Sequence, residues 1–291
     1  MALADAVAGR AWRTYADVRR WATRSGSARA GRGTFSAEPG DADWLTTSAR
    51  EFEQYRAAYP PADSAVSVVC VTNRPAMLDA VVGNIARQRG VEVEPVIVTN
   101  SDGFDPARLE RIGDELERCA VLRRPPDTSL GSCLNAGLDS CSHRFVAKFD
   151  DDDLYGEHYL ADALRAHAYA GAAVVGKHTY YADVAPSGDR YLRFPGHEFR
   201  YSGTLAGGTL VIDRQRTGGL RFEDRSLGED RAFLRACHRR GLSTFSTDRF
   251  GFVQRRGHDN TWNVDHDDFL IGAVRVDADE PEHAVDAPAT D

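Results

Sequence analysis

From Val66 onward the chain alternates short β-branched runs with stretches of helical period, and this alternation constrains the fold more than any other feature. The runs are VSVVCV (66–71), PVIV (95–98), CAVL (119–122), FVAKF (145–149) and AAVVG (172–176). Helix-like stretches separate them at about 75–89, 105–117, 130–140 and 157–170. Runs that stay apolar throughout belong to a sheet covered on both faces, so the expected fold is α/β, a mostly parallel sheet flanked by helices. TLVID (209–213), a helix at about 228–240 and FGFVQ (250–254) complete it near residue 272, while 177–203 reads as loop.

The ends have a different character. Leu3, Val7, Ala11, Tyr15, Val18 and Ala22 recur at steps of three and four, which predicts an amphipathic helix followed by a flexible linker, SGSARAGRGTFSAEPGD. A second helix is expected over 43–58, stopped by the two prolines of YPPAD. The division is therefore a helical extension and linker (1–62), a main domain (63–274) and an acidic tail (275–291) expected to be disordered.

Charge narrows the function. The net charge is −8, but residues 277–291 hold six acids and no Lys or Arg, so the rest is close to neutral and lacks the electrostatic footprint of a duplex nucleic-acid binder. Residues 1–35 carry seven Arg against two Asp, a pattern suited to peripheral contact with an anionic membrane surface. No run of 18 apolar residues occurs, and the opening Ala-rich stretch precedes its charges, so neither a membrane span nor a secretory signal is expected. The five cysteines form no C-x-x-C pair and read as reduced core residues of a cytosolic protein. Of 36 basic residues only Lys148 and Lys177 are lysines, places where a compact ammonium could fit and a guanidinium could not, or where lysine persists by chance.

Asp150, Asp151, Asp152 and Asp153 follow FVAKF directly. Ligands of open α/β sheets bind at the carboxyl ends of strands, and adjacent carboxylates repel unless a cation neutralises them. Hard oxygen donors suit Mg²⁺ or Mn²⁺. The plainer reading is a solvated acidic turn or a set of helix caps. Glu229 and Asp230 open a helix, where the dipole alone would favour them. Arg255 and Arg256 suit phosphate oxygens, and His258 could complete a coordination sphere or be an ordinary surface residue. Gly207 and Gly208 permit close backbone approach, or mark a β-bulge. No G-x-G-x-x-G follows the first strand and no P-loop is present, which disfavours dehydrogenases and P-loop NTPases.

The order of these segments resembles the GT-A glycosyltransferases of family 2, from about Val66 to Trp262. VSVVCVTNRP is similar to their first strand and base-binding turn, SLGSCLNAGLDS to the helix before the metal strand, and KFDDDDLYG to the apolar-Asp-x-Asp-Asp motif. GGTL resembles the acceptor-side segment, GED the catalytic-base motif and RRGHDNTW the closing loop. The resemblance implies a GT-A fold and a metal-dependent inverting glycosyltransferase that moves a sugar from a nucleoside-diphosphate sugar to a hydroxyl of a saccharide or lipid-linked glycan, in bacterial polysaccharide or glycoconjugate assembly.

By position, Thr72, Asn73 and Arg74 would lie beside the base, and Asp150 and Asp152 would serve ribose and metal, with Asp151 and the Arg255–Arg256 pair also on the donor. Asp230 would be the base, leaving Glu229 to bind acceptor hydroxyls or to cap the helix. One departure is visible: the second strand ends at Asn100 where the family has Asp, with an acid only at Asp102. A nucleotidyltransferase would need a Gly-rich loop and Lys after the first strand, and TNRPAM has neither. The rival reading is a catalytically inactive GT-A-like scaffold of a glycan assembly complex, against which the intact acids of both motifs argue.

Overall fold

The computed structural model describes residues 52–53, 56–57, 61, 63–185, 188–257 and 266–276. Strands β1 (Ala65–Thr72), β2 (Glu92–Thr99), β3 (Ala120–Arg123) and β4 (Phe145–Phe149) form on the apolar runs and pair in parallel, β1 lying between β2 and β4. Every residue of β4 is buried, Lys148 included. Helices α1 (Leu78–Ala86), α2 (Pro106–Glu115) and α3 (Leu130–Ser140) make the crossovers. Their starts follow from sequence: Asp105 accepts from the Ala107 N–H at 3.0 Å with Pro106 in the first turn, and Ser129 accepts from the Ser132 N–H at 3.2 Å.

Strand β5 (Leu154–Tyr155) and helix α4 (Tyr159–Ala170) follow the acid run. Beyond them lie β6 (Val174–Gly176), β7 (Tyr180–Val184), β8 (Asp189–Arg193), β9 (Arg200–Tyr201) and β10 (Val211–Asp213). A short helix α5 (Arg214–Thr217), then α6 (Glu229–Arg239), β11 (Thr244–Ser246), β12 (Phe252–Arg256), α7 (His266–Leu270) and β13 (Val274–Val276) complete the order.

The main sheet has the order β3-β2-β1-β4-β10-β6-β11-β9. It is mixed because β10 runs antiparallel to both β4 and β6. The chain steps outward from β1 to β3 and then returns to the other side of β1 as β4, so the crevice beyond the carboxyl ends of β1 and β4 is the switch point where such sheets bind ligands. One core cluster fills the face under α1, α2 and α4, and a second fills the face under α3 and α6.

FGFVQ gives β12, which belongs to a second sheet of order β13-β8-β7-β12-β5. Two readings differ from the structure. The span 177–203 is not simply loop, since it supplies β7, β8 and β9. In TLVID only Val211–Asp213 is strand, and Gly207–Thr209 is a 3-10 turn. The last strand, Val274–Val276, pairs with β8 and runs past residue 274.

The helix expected near 43–58 is described at four positions, all helical. Phe52 packs on Phe250 at 5.2 Å between ring centroids, and Arg56 grips Asp162 of α4 at 2.8 and 3.2 Å. The first amphipathic helix, the linker and residues 277–291 of the tail lie outside the described residues. No helix among the described residues is long and apolar enough to cross a membrane. The five cysteines are unpaired thiols, four of them buried.

Candidate active site

Because β1, β2 and β4 are parallel, Thr72, Asn100 and Asp150 emerge on one edge of the sheet. The acid run does not project as a block. Asp151 turns inward, accepting from Thr72 Oγ1 at 2.6 Å and from Arg74 Nε at 3.1 Å, with Arg74 Nη2 on its other oxygen. Asp152 shares the same guanidinium at 2.9 Å. Asp153 is buried, accepts from the Arg255 backbone N–H at 3.0 Å, and its carbonyl accepts from Asn84 Nδ2 at 2.8 Å. Asp150 contacts Lys148 Nζ, while its backbone N–H donates to the Tyr155 hydroxyl at 2.8 Å.

Thr72 and Arg74, expected beside the base, are thus joined to Asp151 and Asp152, and Asn73 stays exposed. Asn100 donates through Nδ2 to the Thr128 carbonyl at 3.0 Å, whereas Asp102 is exposed.

Electrostatics favours a cation at this edge. Burial and the charge of Asp150 hold the Asp152 carboxyl above the usual range, although Arg74 opposes them. Burial, then Asp150 and Asp152, push Asp153 well up. Asp150 and Asp152 are half-buried and repel each other, an all-oxygen donor pair of the kind Mg²⁺ and Mn²⁺ accept together with substrate phosphates and water. Among the described residues no cluster of three or more His, Cys, Asp or Glu forms a metal cage, so these carboxylates would supply only part of the sphere. His258 lies outside the described residues.

The glycine pair joins this edge to α6. A Cβ at Gly208 would stand 2.8 Å from Asp150 Oδ2, 2.9 Å from Asp153 Oδ2 and 3.0 Å from the Tyr155 hydroxyl, and one at Gly207 would stand 3.0 Å from Asp230 Cγ. The pair forms the 3-10 turn already described, which decides against the β-bulge, and its backbone threads between the two acidic groups. Tyr155 ties the arrangement by donating to the Gly208 carbonyl at 2.7 Å.

The two acids of α6 then diverge. Asp230 is half-buried on the Gly207 side. Glu229 is 5% exposed and faces Lys148 Nζ at 3.9 Å, not a surface where acceptor hydroxyls could be bound. Burial raises its carboxyl above the usual range, against the pull of Lys148.

Arg255 is exposed at the end of β12. Arg256 stacks on Phe269, its Cζ 4.6 Å from the ring centroid, and burial and Arg193 lower its affinity for protons. Sequence reasoning missed Tyr155 and Asn84, whose contacts with the acid run are made only by the folded chain.

An acid run at the carboxyl end of β4, a glycine turn against it and a second acid pair opening α6 define a glycosyltransferase domain of the GT-A type. The chain belongs to glycosyl transferase family 2, whose model matches residues 67–226. Among solved structures it is similar to S. aureus TarS 1-349 in complex with UDP-GlcNAc, at 16% identity and a TM-score of 0.54, over 72% of this chain and 64% of that one. It is also similar to the mannosyltransferase PcManGT from Pyrobaculum calidifontis in complex with GDP-Man and Mn²⁺, at 14% identity and a TM-score of 0.53, over 89% of this chain and 70% of that one. Against a further S. aureus TarS structure the match spans 36% of that chain's length. No curated protein matches this chain.

Proposed function

We propose that this protein is a metal-dependent inverting glycosyltransferase that moves a sugar from a nucleoside-diphosphate sugar to a hydroxyl of a saccharide or lipid-linked glycan, in polysaccharide or glycoconjugate assembly. The observation that carries the reading is the Gly207–Gly208 turn, with Asp150 and Asp153 against one glycine and Asp230 against the other. Two carboxylate groups on the flanks of one short backbone segment support reading one as donor side and the other as acceptor side. The neighbour that carries GDP-Man with Mn²⁺ supports the choice of donor class and ion.

In this reading Asp152 and Asp150 hold the divalent cation, which offsets charge on the leaving diphosphate. Asn73 and Asp102, exposed at the ends of β1 and β2, face the nucleoside, while Thr72 and Arg74 shape that pocket through Asp151. Exposed Arg255 reaches the diphosphate. Asp230 takes the acceptor proton, because Glu229 is turned away into the protein. Attack opposite the leaving group inverts the anomeric carbon. The basic residues 1–35 hold the protein peripherally at the cytoplasmic face of a membrane, which liposome sedimentation with and without residues 1–62 tests.

Asp230→Asn is the decisive variant. Turnover falls by at least roughly a hundredfold, the low end for a general base, while donor affinity is nearly unchanged. Near-normal turnover would move the base elsewhere, and a product retaining the donor's anomeric configuration would refute inversion.

A further inference from the structure

Lys148 sits within β4, 4% exposed, in a chain with only one other lysine. Its Nζ contacts Asp150 Oδ1 and lies 3.9 Å from Glu229 Oε1. Among the described residues it is the one cation within ion-pair distance of either carboxylate. Lys177 is different: its ammonium pairs with one carboxylate, Asp248, at 2.9 Å, and also takes the Asp248 carbonyl at 3.0 Å. Of the two lysines it is Lys148 that stands between two acids, Asp150 of the acid run and Glu229 of α6.

The contacts are unequal. Asp150 holds the ammonium closely, whereas Glu229 is at the limit of ion pairing, buried and with no other cation beside it among the described residues. A divalent cation on Asp150 would compete directly with Lys148 for that carboxylate. An ammonium is a point charge on a flexible stem and can move between two oxygens, while a guanidinium fork would be committed to one geometry.

We propose that Lys148 is a positioning residue that exchanges between two carboxylates: it holds Asp150 while the acid run lacks a divalent cation, and passes to Glu229 when the cation takes Asp150. The proposal rests on the reading of the acid run as a metal site. The exchange keeps the buried Glu229 compensated in the loaded state and links occupation of the donor side to the charge beside Asp230. Glu229 therefore controls metal affinity without being a ligand.

The test is titration of the full chain with Mn²⁺ alone, followed by loss of the free-ion electron paramagnetic resonance signal. Lys148→Met removes an internal competitor, and Mn²⁺ binds more tightly than in the unaltered chain. Glu229→Gln takes away the second partner of Lys148, and Mn²⁺ binds more weakly by roughly tenfold or more, the scale expected for one charge a few ångströms away inside a protein. In Lys148→Met/Glu229→Gln that loss disappears.

If Lys148→Met does not fold, Lys148→Arg serves as the background. Its fork cannot pass between partners, so Mn²⁺ binds weakly there and Glu229→Gln adds little. An equal loss from Glu229→Gln with and without Lys148 would make the effect the direct field of Glu229 and overturn the exchange alone. No Mn²⁺ binding by the unaltered chain would overturn the metal reading, and the exchange with it.

Discussion

Asp151 shows how far a single residue's role depends on distant partners. Its carboxylate is taken by Thr72 and Arg74, 79 and 77 positions earlier in the chain. The acid run is legible as a cluster, but which of its members faces outward is not, because side-chain direction is set by donors that only the β1–β4 pairing brings close. Asn100 is a similar case. Its amide donates to the Thr128 carbonyl, a bond that an ionised aspartate could not make, which gives a local reason for the departure from the family pattern. Gly208 yields the sharpest prediction at this scale. A methyl group there meets two carboxylate oxygens and a buried hydroxyl within 3.0 Å, so the turn must shift and drag Asp150 with it. Gly208→Ala is expected to cost about 1–3 kcal/mol of stability, as overpacking does, and to abolish the response of donor binding to Mn²⁺. Chemical denaturation and donor titration check the two effects, and an unchanged Mn²⁺ response would remove the turn from the site.

Helices and strands were legible wherever their apolar pattern is local. The four parallel strands lie on the runs read from sequence, since each carries a contiguous apolar stretch, fully buried in β4 and only partly covered in β3 at the sheet edge. β7 and β8, YYADV and DRYLR, were not, because they interleave charged residues that are paired only once the strands meet, as Arg190 is with Asp183 at 2.6 and 2.8 Å. His167 of α4 illustrates how one element is tied to the sheet. Its Nε2 lies 3.0 Å from the Val211 carbonyl and its Nδ1 3.3 Å from that of Ala172, and burial pushes the imidazole down to about 4. The folded chain therefore keeps it neutral where an unfolded chain would protonate it. As pH falls from the unfolded value near 6.5 toward 4, the unfolded state binds the extra proton and stability declines, by up to about 3 kcal/mol at about 1.4 kcal/mol per unit. The raised carboxyls of Asp152, Asp153 and Glu229 act in the opposite sense, gaining stability as they protonate. The comparison of the unaltered chain with His167→Gln isolates the histidine. The variant is less stable at pH 7, and its stability falls less steeply between pH 6.5 and 4. Parallel profiles would show that His167 is not the group responsible.

At the scale of the whole molecule, two sheets meet at the acid run. β4 delivers it from the main sheet and β5 carries the chain at once into the second, while β12 of that second sheet returns the Arg255 N–H to Asp153. Donor and metal bound at this junction would tie both sheets together, so a matching nucleotide sugar with Mn²⁺ should raise the melting temperature more than either alone. At a hundredfold excess over the dissociation constant the gain is about 2.7 kcal/mol. Thermal unfolding against a panel of nucleotide sugars measures it and identifies the donor. A panel with no response, with and without Mn²⁺, would count against the nucleotide-sugar reading.

By itself the sequence determined the α/β layering, the place of the acid run at a strand's carboxyl end and the second acid pair at a helix start, because these depend on local periodicity and on neighbours a few residues apart. Only the tertiary structure decided that Glu229 turns inward and Asp230 does not, that Gly207 and Gly208 pass between the two acidic groups, and that Lys148 stands between Asp150 and Glu229. Those facts depend on β4, the glycine turn and α6 arriving at one place from positions spread over some 80 residues of the chain. Burial and charge compensation are properties of that meeting, and no window of sequence contains them.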